Sequence, residues 1–370
     1  MTKHFRHLGL LITAFITLAL ILQIGSVKLI ALFVVGLGLG AVLNYFIFGF
    51  SSAWRRCIVQ QRTQGIRAQI VMLALAILLF TPLLWLGQIG EQDLQGLVRP
   101  IGLSVVIGAF LFGIGMQIAG NCSSGTLNRL GQLQPLSFIS FIMLFVGGVV
   151  GAFLFDTWSN WPSFIPYSLT LDFGLPGLVL SLLALAAIYF WMHRCEKSHC
   201  PRVEPLWPSA LLTAGILLAL LNLVVLLLSG QPWSIASVFT LWSLKLSDTL
   251  NLGLDWPFWS VAGLYQARMM QPLLADAVSL TTIGLILGSL WVTLLQSKKP
   301  ICDGFNPKTF SFYVVGGFLM GFGATLSYGC NIGAFFSGIA SGSLHGWLWI
   351  LFAVFGNIVG LKIVNSKPRI

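Results

Sequence analysis

Ten apolar runs, each close to the thickness of a bilayer, leave this chain few folds to choose from. They cover residues 8–24, 28–48, 68–87, 100–118, 134–155, 174–192, 208–229, 273–296, 309–327 and 345–363. A helix needs roughly 20 apolar residues to cross the hydrocarbon layer. Backbone polar groups find no water there, so a spanning segment is either helical or part of a closed barrel. Barrel strands are about ten residues long and alternate apolar with polar, whereas these runs are longer and unbroken. Only 8% of residues are charged, against about 25% in a soluble domain. The expected fold is an all-α integral membrane protein with about ten transmembrane helices. The basic stretch Met1–His7 ahead of the first run has the character of a secretory leader. No small-residue cleavage site follows Gln23-Ile24-Gly25, so 1–27 is read as an uncleaved additional N-terminal helix.

The net charge of +10 orients the chain and does not mark a nucleic-acid binder. With the N-terminus placed inside, 16 of the 20 Lys and Arg residues fall on the cytoplasmic side, and only Lys28, Arg99, Lys245 and Arg268 fall outside. Seven of the ten acids fall outside as well. This positive-inside pattern fits ten spans with both termini cytoplasmic. The partner implied is the lipid bilayer.

Two stretches repeat a frame. GIGMQIAGNCSSG runs from Gly113 to Gly125, and GFGATLSYGCNIG from Gly321 to Gly333. At a fixed offset of 208 (330 − 122), Phe110-Leu111 also lies over Phe318-Leu319. On the charge reading the span at 100–118 runs inward and the span at 309–327 runs outward. Similar segments of opposite direction make an inverted-topology repeat, and transporters of that plan bind substrate where the repeats meet. The chain then divides into a first repeat at 28–192, a cytoplasmic linker at 193–207 and a second repeat at 208–370. Behind each cysteine, 126–133 and 334–343 are too short to span, and they read as re-entrant helices. A third break falls at Phe48-Gly49-Phe50-Ser51-Ser52. The outer loop 230–272, with Trp233, Trp242, Trp256 and Trp259, reads as an aromatic anchor at the interface.

The chemistry concentrates at Cys122 and Cys330. A buried cysteine is usually a small apolar residue. Here each precedes a short helix, whose dipole and free N–H groups favour an anion. Gly125 and Gly333 let backbone come close to a ligand, and Gly113, Gly115, Gly321 and Gly323 are expected to shape the cavity. Asn121, Ser123, Ser124 and Asn331 add hydrogen-bonding groups. Copper(I) bound by two thiolates is the rival reading, but no Met or His pattern surrounds either cysteine, and only His345 is near. His193, Cys195, His199 and Cys200 carry zinc-ligand chemistry at a spacing unlike the common structural sites; a basic loop explains them better. No metal or cofactor is expected. Cys57, Cys195, Cys200 and Cys302 lie on the reducing side, so no disulfide framework is expected. Acids are scarce within the spans, with only Asp276 at a span's end, so a carboxylate proton relay is not supported. No catalytic constellation stands out, and the chain is read as a non-enzyme.

The paired frame, Gly-x-Gly-x₄-Gly-x-Cys-x₂-Gly at 113–125 with its partner at 321–333, resembles the YeeE/YedE family of sulfur-compound transporters. The likeness runs from about residue 28 to 364. It implies a bacterial inner-membrane protein of two inverted repeats with re-entrant helices and an hourglass-shaped path. It also implies that thiosulfate passes along cysteines by S–H hydrogen bonding, with Cys122 the central thiol and Cys330 the second. Family members that import thiosulfate carry a third cysteine where this chain has Gly49, and an acid where it has Arg56. That departure keeps another sulfur or selenium species open as cargo. Arg129, Arg55 and Arg56 could attract the anion near the cytoplasmic exit. A different class remains as the alternative: a membrane sulfurtransferase subunit that forms a persulfide on Cys122 and hands it to a soluble TusA-like carrier on the cytoplasmic side.

Overall fold

The computed structural model describes residues 3–200, 203–251, 268–296 and 306–365. Among them, ten helical segments are long and apolar enough to cross a bilayer, and they follow the ten apolar runs in order. The chain is an all-α, multi-span membrane protein. Helix α1 is Lys3–Gln23, α2 Val27–Tyr45, α3 Phe50–Gln60, α4 Gln64–Leu86, α5 Leu103–Ile118, α6 Ser123–Gly131 and α7 Pro135–Phe153. Short helices α8 (Phe155–Ser159) and α9 (Leu169–Asp172) lead into α10, Gly174–His199. Then come α11 (Ala210–Ser229), α12 (Ala236–Thr249), α13 (Ala277–Leu295) and α14 (Pro307–Leu326). A π-helical stretch, Asn331–Ser337, runs into Gly338–Ala340; together these are α15. Helix α16 is Leu344–Asn365.

Local chemistry sets the ends. Pro135 and Pro307 occupy first turns, where a missing N–H costs nothing. Ser209, Asp276 and Asn306 accept first-turn N–H groups through their side chains. Gly87 and Gly230 close α4 and α11 at φ 70° and 79°, the left-handed region open to glycine.

Several expected boundaries move. Helix α10 continues to His199, so the expected linker at 193–207 begins as helix. The run at 100–118 opens with a strand pair, Ile101–Gly102 against Ser163–Phe164, and helix starts only at Leu103. Leu273–Ala275 is a 3₁₀ turn ahead of α13. The short helices start at Ser123 and Asn331, directly after their cysteines, three residues earlier than expected. Trp233 is no interface anchor, being 1% exposed, and Trp242 donates its indole N–H to Ser279. Trp256, Trp259 and Cys302 lie outside the described residues.

Packing is reciprocal. Helix α2 packs on α13 and α11 on α4; α5 packs on α16 and α7 on α14; α5 and α14 cross each other. In a bilayer the helix surfaces are no more apolar than lipid, so close backbone approach at small residues drives association. A methyl at Gly113 would sit 2.2 Å from Ala353 O, and one at Gly321 2.2 Å from Leu144 O. At Gly115 the near atom is Gly316 O at 2.6 Å, and at Gly323 it is Gly108 O at 2.5 Å. These four glycines therefore hold helices together and do not face a cavity, contrary to the expectation from sequence. Helix α1 stands at the periphery and meets α13, with Trp291 Nε1 donating to Thr17 Oγ1.

Candidate transport site

"Outer" and "inner" below name the two faces as the charge distribution assigns them. Each cysteine is the cap of its short helix. Cys122 Sγ accepts the Gly125 N–H at 3.4 Å and lies 3.2 Å from Ser124 Oγ. Cys330 stands at the head of α15, its carbonyl taking the Ala334 N–H at 2.8 Å. Both thiols are buried, at 2% and 1% exposure, and α6 touches α15. The glycine frame brings this about. Gly120 turns the chain at φ 71°, and Gly125 has only ordinary contacts around an added methyl, the nearest being Asn121 Cβ at 3.5 Å and Cys122 Sγ at 3.6 Å.

Hydrogen bonding at this centre is incomplete. The backbone N–H groups of Ser123 and Asn331 have no backbone acceptor among the described residues, while those of Ser124 and of Ile332 and Gly333 turn toward the thiols of Cys122 and Cys330. Ser123 Oγ, Thr126 Oγ1 and both amide atoms of Asn331 are buried without a partner. Asn121, by contrast, donates to Ala119 O at 3.4 Å. Buried polar groups in folded proteins are nearly always satisfied, so a cluster of exceptions marks a place for water or a polar ligand. Two helix N-termini that bring their N–H donors and a thiol to one place suit an anion. His345 is spent elsewhere, with Nε2 2.8 Å from Ser327 O. Phe50 meets Phe335 edge-on at 6.3 Å and joins the apolar wall.

A cavity of about 390 Å³ opens on the outer side and reaches Gly333. Its lining carries Lys28, Arg99, Arg268 and Asp276, a net charge of +2 (3 − 1). Three of the four outer cations of the sequence are therefore here. Arg268 is held by Asp276 through Nε–Oδ1 at 2.6 Å and Nη2–Oδ2 at 3.1 Å. Asp276, just ahead of α13, also accepts the Ser279 N–H and hydroxyl. Burial alone would raise its pKa, but Arg268 and Ser279 outweigh that and hold it below the ordinary carboxylate value. Lys28 donates to Gln92. The Arg99 guanidinium has no hydrogen-bond or ion-pair partner among the described residues. Sequence reasoning treated these cations as a remainder; their signal was that they broke the positive-inside rule.

On the inner side Arg55 donates to Gln117 O at 3.1 Å, tying α3 to α5. Arg56 pairs with Glu204 at 3.2 Å, and Arg129 ends α6, half-buried. His193, Cys195, His199 and Cys200 do not converge: His199 Nδ1 sits 2.8 Å from Cys195 O, and His193 Nδ1 3.4 Å from Arg67 Nη1. Glu196 between them takes Arg67 at 3.0 Å and Thr63 Oγ1 at 2.6 Å, pinning α10 to α4.

The sequence profile of a family described as sulphur transport matches residues 47–359. The thiosulfate transporter TsuA of Spirochaeta thermophila is 26% identical over 345 residues, which are 87% of this chain and 95% of that protein. TsuA of Escherichia coli is 26% identical over 289 residues, covering 72% and 76%. A probable transporter of Escherichia coli, YedE, is 25% identical over 138 residues, covering 36% and 33%. With most of its length, both cysteine frames included, inside that profile, this chain belongs to the sulphur transport (YeeE/YedE) family.

Proposed function

We propose that the protein carries a small sulfur-containing anion, thiosulfate first, inward across a bacterial inner membrane through a path lined by Cys122 and Cys330. One observation carries this reading: unpaired side-chain donors gather at two helix starts, each headed by a cysteine, that touch each other. An anion leaving water loses strong hydrogen bonds, and desolvation is affordable only where donors replace them. The side chains of Ser123, Thr126 and Asn331 supply such donors, with the helix-start N–H groups beside them. Each S–H adds a weak, soft one, suited to a terminal sulfur more than to an oxygen. The outer cavity, net positive, would concentrate the anion ahead of this point. Helices α2–α7 and α11–α16 then act as two repeats of opposite direction, within 28–192 and 208–370, each contributing one thiol. Thiosulfate is held by hydrogen bonds throughout and no covalent bond forms. A soluble TusA-like carrier would take up sulfur chemistry after release on the cytoplasmic side.

The test is uptake of ³⁵S-thiosulfate by cells lacking other sulfur importers, with a panel of unlabelled sulfite, sulfate, selenite and thiosulfate as competitors. Uptake that thiosulfate alone displaces fully supports the assignment. Uptake displaced better by another anion reassigns the cargo. Cys122→Ser importing as well as the unaltered protein would remove the thiol from the path.

A further inference from the structure

The reciprocal packing gives the outer cavity a counterpart. Part of its wall comes from residues 97–99 and the ends of α11 and α14, and part from the start of α2, the turn before α12, α12 itself and the start of α13. Exchanging the two halves replaces these by the start of α11, the turn before α3, α3 and the start of α4. A second cavity lies at that place. Leu211, Phe48 and Gly49, Ser52 and Arg56, and Gln69 line it, and its volume is about 40 Å³. That is room for about three waters.

Gln69 is the telling residue. It is 1% exposed, and neither its Nε2 nor its Oε1 has a partner among the described residues. It is the sixth residue of α4, whereas Thr281, on the outer cavity, is the fifth of α13. Arg56 engages Glu204 through Nη2 alone, which leaves Nε and Nη1 to donate. Ser52 currently donates to Gly49 O at 3.1 Å. Gly49 keeps the pocket open: its own Cβ would stand 2.6 Å from Ser52 Oγ, and its backbone, at φ −140°, is extended and would accept any residue.

We propose that this pocket is the inner binding station of the path, taking an oxyanion of the thiosulfate class on the Gln69 amide, the Ser52 hydroxyl and Arg56. The structure holds this station contracted while the outer cavity is open. Exchange of the two volumes between equivalent halves is the motion that inverted repeats permit. This inference rests on the transport reading above.

Gln69→Leu tests it. A buried polar group without partners costs stability, and an apolar replacement of similar shape is neutral or stabilising. A structural role therefore predicts an equal or higher thermal midpoint with unchanged transport. The inner station predicts the same midpoint result with the maximal rate of ³⁵S-thiosulfate uptake into proteoliposomes at least tenfold lower, and the half-saturating outer concentration within twofold. Gly49→Val, which fills the pocket from the opposite wall, gives the same reading should Gln69→Leu fail to accumulate. Wild-type rates in either folded variant overturn the station alone. Absence of uptake of thiosulfate and its competitors by the unaltered protein overturns the transport reading and the station with it.

Discussion

Replacing Arg99 by glutamine removes the one guanidinium of the outer cavity that, among the described residues, no neighbour holds. Taken as a sphere, 390 Å³ has a radius of about 4.5 Å. Adding a water radius of about 1.4 Å puts a wall charge about 6 Å from an anion at the centre. A dianion and a monocation at that distance attract by about 1.4 kcal/mol in bulk-water dielectric and about 2.8 kcal/mol at half that dielectric. A Debye length of about 8 Å leaves roughly half of this at physiological salt. The loss is then about 0.7 to 1.3 kcal/mol, or roughly threefold to tenfold in the half-saturating concentration. Initial rates of ³⁵S-thiosulfate uptake into proteoliposomes measure it. Arg99→Gln should raise the half-saturating concentration by that factor with the maximal rate within twofold. Arg99→Lys should recover most of the loss, because a point charge suffices. The difference should shrink as ionic strength rises from about 0.02 to 0.3 M. An unchanged half-saturating concentration in folded Arg99→Gln, or an effect indifferent to salt, would refute the electrostatic account of the outer cavity.

Further outcomes follow from the same geometry. Gly113→Ala should lower the thermal midpoint by the equivalent of about 1–3 kcal/mol, because its methyl meets Ala353 O and overpacked contacts cost that much; fluorescence-detected size-exclusion after heating reads it. Gly125→Ala, which meets only ordinary contacts, should leave the midpoint unchanged. Asp276 has its folded pKa below the ordinary value of about 3.9, so its pairing with Arg268 stabilises above that pH and is lost as pH falls through the lowered value. The midpoint gap between the unaltered protein and Asp276→Asn should therefore hold at pH 5–7 and close in stronger acid. Intact-mass spectrometry after thiosulfate exposure should find Cys122 unmodified; a persulfide or thiosulfonate adduct formed at the rate of uptake would instead favour the sulfurtransferase alternative.

The apolar runs made the fold legible, since a bilayer accepts few backbones and the ten segments needed only length and hydropathy to be seen. The paired Gly–Cys frame was legible for a related reason: a motif used twice stands out against apolar sequence. What stayed hidden depends on contacts across the chain. Gly113 and Gly321 read as cavity glycines because sequence shows small size and not what faces it; here it is Ala353 O and Leu144 O. Arg99 and Lys28 read as exceptions to a charge rule until the ends of α2, α11 and α13 placed them on one cavity. Gln69 carries no periodic signal at all, because an unpaired amide is a property of its surroundings. His193 to Cys200 looked like a loop because the polar composition there hides a helix that Glu196, anchored by Arg67 and Thr63, holds in place.

The most direct test of the two-thiol path uses purified protein in proteoliposomes. Uptake of ³⁵S-thiosulfate down its gradient is compared for the unaltered chain, Cys122→Ser, Cys330→Ser and the double variant, each shown folded by its thermal midpoint. The account predicts robust uptake by the unaltered chain. It predicts a fall of at least tenfold in each single variant, and little further loss in the double, since the thiols act in series. Wild-type uptake by the folded double variant would contradict it.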